Sequence, residues 1–235
     1  MIEHIDYDNL KKRGFLKQKQ DGFFILRTRM NLGVYKDDQL LKFVEISRKY
    51  GQGIVHVSTR QGIEIPFIKY NDIDTVEKEL KFSSILVGAS GPRLRTTTSC
   101  PGNNWCKAGL INTFVLYDRI EKELNLICGL DLPYKFKIAI SGCPNGCTRP
   151  QMSEIGIHGN FNSNKAVGYV VYLGGCGGRT PRLGFKLERI FNEEEVLLII
   201  KNVVAFFKNN AKPRQRLALL IEEMGREKFI KEIMI

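Results

Sequence analysis

The chain contains no apolar stretch approaching the ~18 residues a helix needs to cross a bilayer, which excludes a helical membrane span. It also lacks a secretory leader pattern. Met1-Ile2-Glu3-His4-Ile5-Asp6-Tyr7-Asp8 is acidic, whereas a signal peptide is basic and then apolar. The expected location is therefore the cytoplasm, where thiols stay reduced and serve as ligands more often than as disulfides. Internal repeats and low-complexity tracts are absent too. Acidic residues are in deficit, 25 against 36 basic ones, and the net charge is +11. Yet no basic run interleaved with aromatics and no recognised nucleic-acid motif accompanies that charge. Three destinations for it remain: plain solubility, nucleic acid, or a polyanionic cofactor or anionic substrate held among arginines.

What is present is an ordinary globular composition, 43% hydrophobic and 26% charged over 235 residues, enough for one large domain or two small ones. Four of the six cysteines fall in two motifs. Ser99-Cys100-Pro101-Gly102-Asn103-Asn104-Trp105-Cys106 is C-x5-C, and Ser141-Gly142-Cys143-Pro144-Asn145-Gly146-Cys147-Thr148-Arg149-Pro150 holds C-x3-C. Pro and Gly around each pair place the thiols on turns. Such turns suit a soft metal centre. A structural zinc site draws ligands from a tighter knuckle than the first pair offers. A cubane iron–sulfur cluster spreads its thiolates over a larger volume and suits a wide pair plus a narrow one. Zinc and unliganded thiols remain the alternatives.

Along the chain, residues 1–21 read as a polar arm or short helix. Gly22 to Arg29 reads as a strand, and Asp37 as the cap of a helix over 38–50. Strands are expected at Gly53–Ser58 and Ile63–Ile68, a helix over 71–82, and a last strand at Ile85–Gly88. That succession is a split βαβ, ferredoxin-like unit. The fold class is α+β, with a ferredoxin-like half over 1–90 and an α/β half with C-terminal helices over 91–235. In the second half Cys106–Leu124 reads as a helix, and Tyr134–Ile140, Glu154–His158 and Val167–Leu173 as strands. Helices follow from Glu193 to Asn209, after Pro213, and near the end.

Leu26-Arg27-Thr28-Arg29, Ser58-Thr59-Arg60-Gln61-Gly62, the two cysteine motifs, Lys135-Phe136-Lys137, and Gly174-Gly175-Cys176-Gly177-Gly178-Arg179 with Pro181-Arg182 occur in one order. Together they resemble the sirohaem-dependent nitrite and sulfite reductases, over about residues 22–185. The resemblance implies that Cys100, Cys106, Cys143 and Cys147 bind a [4Fe–4S] cluster, with Cys147 also bridging to the sirohaem iron. Arg60, Gly174, Gly175, Gly177 and Arg179 would contact the carboxylate-rich macrocycle. Arg27, Arg95, Lys135 and Lys137 would hold the oxyanion and supply protons, with Arg93 competing for the place of Arg95. Cys128 and Cys176 match no ligand position and are expected to be plain thiols. His4, His56 and His158 match none either, and are expected to be structural or surface residues.

Typical members carry two copies of this unit, whereas one is visible here. The resemblance therefore implies a homodimer, in which Arg27 and Lys135 of one protomer face the haem of the other. No flavin domain or further ferredoxin insertion is seen, so electrons are expected from an external ferredoxin or flavodoxin. The activity implied is six-electron reduction of sulfite to sulfide or nitrite to ammonia, with no nucleic acid or membrane partner. Two other readings stand beside it: an electron-transfer or assembly protein that turns over no oxyanion, and a zinc-stabilised, basic nucleic-acid binder.

Overall fold

The computed structural model describes residues 5–234 and divides the chain into two compact units, Met1–Gly91 and Pro92–Ile235. The first opens with α1 (Tyr7–Lys12), whose N-terminal amides are capped by the Asp6 carboxylate. Then come β1 (Phe15–Lys17), β2 (Phe23–Arg29), α2 (Asp37–Tyr50), β3 (His56–Val57), β4 (Ile63–Lys69), α3 (Ile73–Phe82) and β5 (Leu86–Val87). The sheet is antiparallel throughout, in the order β1-β2-β4-β3, with β5 also paired to β2. Alternation sends Phe24 and Leu26 inward from β2, where they join Ile63, Ile65 and Ile68 of β4. Phe43 and Ile46 of α2 and Ile73, Val76 and Leu80 of α3 close this core. Arg27 falls on the opposite face.

Three expectations change in this unit. The residues preceding Gly22 contain a strand, β1, which is easy to miss because only Phe15 of its three residues is buried. Asp37 is the first helical residue of α2 rather than its cap. The strand expected over 53–58 shrinks to His56–Val57, because Gly51 and Gly53 both return their N–H to the Ser47 carbonyl and so close α2.

The second unit contains β6 (Thr98–Ser99), α4 (Thr113–Lys122), β7 (Ile138–Ser141), β8 (Ile155–Phe161), β9 (Val167–Leu173), β10 (Phe185–Lys186), α5 (Glu193–Asn210), α6 (Leu217–Met224) and α7 (Arg226–Ile233). Its sheet runs β10-β9-β8-β7-β6, parallel across β6, β7 and β8 and antiparallel beyond. All four residues of β7 are buried, as a central strand covered on both faces requires. Helix α5 buries Val196, Ile200, Val203 and Phe207, and the Phe207 ring meets Phe136 at 5.2 Å.

The helix expected from Cys106 begins only at Thr113, where the Asn112 side chain accepts from the amides of Phe114 and Val115. Residues 106–112 are held in a loop against the second cysteine motif. The strand expected over 134–140 is Ile138–Ser141, with Phe136 only in an isolated bridge to Leu94. The strand expected over 154–158 runs from Ile155 to Phe161. β6 and β10, two residues each, are too short to leave a periodic signal.

Candidate functional site

The two cysteine motifs leave the C-terminal ends of neighbouring parallel strands. β6 pairs with β7 through Thr98↔Ala139 and Ser99↔Ile140, so Cys100 and the Gly142–Cys143 turn emerge side by side. Backbone contacts lock the two loops together. The Gly142 carbonyl accepts from Leu110 N at 2.8 Å, and the Gly142 N–H donates to Cys100 Sγ at 3.0 Å. Thr113 Oγ1 donates to the Cys100 carbonyl at 2.7 Å. Glycine makes this approach possible: a Cβ on Gly142 would lie 2.6 Å from Gly102 Cα, and one on Gly109 2.3 Å from Gly102 C.

All four motif thiols are free. Cys143 is buried, Cys100 half-buried, and Cys106 and Cys147 exposed. Among the described residues, no three thiols, imidazoles or carboxylates gather around a point as one metal ion requires. A cubane sets its thiolates at separate corners of a larger volume, and four thiols on two interlocked turns fit that donor set. The sulfur-directed amide of Gly142 suits it as well, because amide hydrogen bonds to thiolate tune such clusters.

The segment 93–95 runs parallel to 135–137. Leu94 bridges Phe136, Arg95 N donates to the Phe136 carbonyl at 2.8 Å, and Phe136 N to the Arg93 carbonyl at 3.1 Å. Leu94 and Phe136 are fully buried, so alternation turns Arg93, Arg95, Lys135 and Lys137 the other way. Arg93 is engaged by Asp131 at 2.9 Å. Three of the four residues expected at the oxyanion, Arg95, Lys135 and Lys137, are thus neighbours within this unit.

The glycine loop closes back on itself, Cys176 and Arg182 exchanging two backbone hydrogen bonds of 2.8 Å. It packs on the tail of the second cysteine motif, where a Cβ on Gly175 would lie 2.2 Å from the Gln151 carbonyl oxygen. Gly174, at φ +79°, donates to the Glu154 carbonyl at 2.9 Å. A cavity of about 370 Å³ lies beside the loop, lined by Lys135, Gly177, Arg179, Arg182 and Arg216 together with the Cys176 wall. Lys135 and Arg179, expected at substrate and cofactor respectively, border the same space. Arg182 is paired with Glu222 and Arg216 with Glu154, so Lys135 and Arg179 are the cations beside the glycine loop that fit the carboxylate-bearing edge of a macrocycle.

Two residues here escaped sequence reasoning. Glu154 is fully buried and receives both Nε (2.8 Å) and Nη2 of Arg216 on one oxygen, while its other oxygen has no hydrogen-bond partner. Burial pushes the Glu154 carboxyl up, against the pull of Arg216 and Lys137. Arg216 also reaches the Gly177 carbonyl at 3.4 Å. A signal existed for each: Glu154 stands directly before the buried strand β8, and Arg216 is a cation at a helix N-terminus, where the dipole disfavours it.

In the first unit, Arg27 projects from β2 and its Nε donates to Glu64 at 2.7 Å. Arg60 lies on the Ser58–Gly62 turn, where Ser58 Oγ accepts from the amides of Arg60 and Gly62, both at 3.3 Å. His56 Nδ1 is 2.9 Å from Glu64. His158 is buried, with Nδ1 against the Gly159 carbonyl at 2.9 Å, and burial holds its pKa down. Cys128 Sγ is 3.5 Å from Thr96 Oγ1, and Cys176 is buried in the cavity wall. His4 lies outside the described residues.

Comparison with known proteins gives the same picture for both units. Residues 90–235 match the family described as nitrite and sulphite reductase 4Fe-4S domain, and residues 16–83 the nitrite/sulfite reductase ferredoxin-like half domain. The coenzyme F420-dependent sulfite reductase of Methanocaldococcus jannaschii is 30% identical over 98% of this chain and 45% of its own length. The assimilatory-type sulfite reductase of Nitratidesulfovibrio vulgaris is 26% identical over 92% of this chain and 94% of its own. The chain thus spans under half of the first relative and nearly all of the second. Among solved structures, Mycobacterium tuberculosis NirA superposes with a TM-score of 0.81 at 20% identity, covering 94% of this chain and 44% of that one. No helix among the described residues is long and apolar enough to cross a membrane.

Proposed function

The chain belongs to the nitrite and sulphite reductase family, whose cofactors are a [4Fe–4S] cluster and sirohaem, and from that premise we propose that it reduces sulfite to sulfide by six electrons. Nitrite reduction to ammonia is the second reading. The observation that carries the redox assignment is the interlock of the two cysteine loops at the ends of β6 and β7. The preference for sulfite rests on the assimilatory-type relative, which the chain matches over 94% of that protein's length. The nitrite reductase of Bacillus subtilis is matched over only 28%.

In this reading Cys100, Cys106, Cys143 and Cys147 would hold the cluster, with Cys147 on the side of the sirohaem. Arg60, Arg179 and the glycine loop with Gly174, Gly175 and Gly177 would contact the macrocycle. When bound, the coupled centre supplies electrons singly to the anion. The chain's own residues supply the rest. Arg27 and Arg95 neutralise the oxyanion, and their N–H groups polarise its oxygens. The ammonium groups of Lys135 and Lys137 donate protons to oxygens that depart as water. A second copy of the chain completes the site, so the working form is a homodimer, and the basic surface receives an acidic donor such as a ferredoxin or flavodoxin. Full activity from a monomer would remove the dimer.

An anaerobic visible spectrum of the purified protein, with iron and zinc counted on the same sample, tests the assignment. Sirohaem bands with about five irons per chain are expected from one cubane plus one haem. Assay of that sample with sulfite and with nitrite then decides the substrate. A colourless protein with one zinc would overturn the reductase reading, and full loading without turnover of either anion would favour an electron carrier.

A further inference from the structure

Three side chains stand in one row across the sheet of the first unit. Glu64 of β4 is the cross-strand partner of Arg27 on β2 and of His56 on β3. Cross-strand partners share a face, so the carboxylate sits between guanidinium and imidazole. Both contacts are made: Arg27 Nε donates to Glu64 Oε1 at 2.7 Å, and His56 Nδ1 lies 2.9 Å from Oε2. A carboxylate can only accept, so Nδ1 is the donor. The Glu64 side chain is 12% exposed, Arg27 31% and His56 63%, so the central acceptor is the best shielded of the three.

The rest of the local structure keeps Arg27 in place. Its backbone N–H donates to Gly14 at 2.7 Å, and its carbonyl accepts from Gly88 at 2.8 Å. A Cβ on Gly88 would lie 2.8 Å from Arg27 Cγ, so glycine there clears the path of the arginine stem. Guanidinium is planar, and a bond to Nε fixes the plane while leaving the two terminal nitrogens as a fork. That is the orientation in which an arginine grips an oxyanion through two parallel hydrogen bonds. An ion pair made through both terminal nitrogens would have used the fork up.

We propose that Glu64 is the positioning residue for Arg27: it holds the guanidinium by Nε so that the terminal fork faces a small oxyanion, and His56 fixes Glu64 through its second oxygen. This rests on the reading of Arg27 as an oxyanion ligand. It adds two residues, Glu64 and His56, that touch no substrate and act through Arg27.

The test uses the full chain in two forms. In the cofactor-free chain, the ¹⁵N–¹H signal of Arg27 Nε reports its hydrogen bond, and Glu64→Ala is expected to return it to the position of a solvated arginine. In the loaded protein, Glu64→Ala is expected to raise KM for sulfite, and the sulfite Kd read from the visible spectrum, by tenfold or more with a smaller change in kcat. Glu64→Gln, which keeps an acceptor for Nε, is expected to recover most of that loss, and His56→Ala to show a weaker form of it. An unmoved Nε signal in Glu64→Ala overturns the inference whatever the kinetics. A moved signal with unchanged KM and Kd overturns it too, leaving Glu64 as a structural ion pair. A loaded wild type that turns over neither sulfite nor nitrite overturns the functional reading itself, and the substrate arm of this inference with it.

Discussion

The Gly142 amide points at the Cys100 sulfur, 3.0 Å away, across two loops that are 42 residues apart in sequence. The contact exists because Gly142, Gly102 and Gly109 meet backbone to backbone, with no room for a Cβ at either Gly142 or Gly109. Gly142→Ala is therefore expected to separate the cysteine loops. Overpacking of this kind costs about 1–3 kcal/mol. Urea unfolding of the cofactor-free chain should show a loss in that range, and iron per purified chain should fall with it. Wild-type iron content in the variant would mean that the interlock does not shape the cluster site.

Replacing the cysteines singly separates ligands from plain thiols. Serine at Cys100, Cys106, Cys143 or Cys147 is expected to abolish cluster absorption, since a hard hydroxyl substitutes poorly for thiolate. Cys128→Ala is expected to leave it intact, because that thiol matches no ligand position and lies 3.5 Å from Thr96 Oγ1. Iron and acid-labile sulfide measured across the five variants decide the point. Loss of the cluster in Cys128→Ala with retention in any of the four would redraw the ligand set.

Much of this was legible in the sequence, for reasons that differ by element. The ferredoxin-like unit announces itself through alternation in Phe23–Arg29 and Ile63–Lys69 and through helical periodicity in α2 and α3, all local patterns. The cysteine motifs carry their own spacing. Phe15 in β1 was hidden because one buried residue in three is no pattern. The late start of α4 was hidden because Leu110 falls in helical register with Phe114 and Tyr117, whereas the amides of Leu110 and Ile111 are captured by Gly142, a partner distant in sequence. Glu154 and Arg216 lie 62 residues apart, and their pairing is a property of the packed unit alone.

Stability should decline on mild acidification through His158. The imidazole is buried, and desolvation, aided by the Lys186 charge and opposed by the Gly159 carbonyl, lowers its pKa below the ordinary value of about 6.5. The unfolded chain therefore takes up a proton at a higher pH than the folded one. The stabilisation from a neutral buried ring is complete above the unfolded pKa and is lost as pH falls from there through the folded value. Unfolding free energy measured between pH 7 and 5 should drop, with the slope reduced in His158→Asn. An unchanged slope in that variant would place the titration elsewhere.

Glu154 and Arg216 supply the severest substitution. Removing one partner of a buried ion pair strands the other, at a cost of about 3–5 kcal/mol. Glu154→Ala and Arg216→Ala are each expected to lose that much in denaturant unfolding. Replacing both by methionine removes the stranded charge and should recover most of the loss. The loop separates stability from function here, because Arg216 also holds the Gly177 carbonyl and borders the cavity. The double variant is thus expected to fold with near wild-type stability yet retain sirohaem several-fold less tightly through gel filtration. If the double variant retains sirohaem as the wild type does, the pair contributes to the fold and not to the cofactor edge.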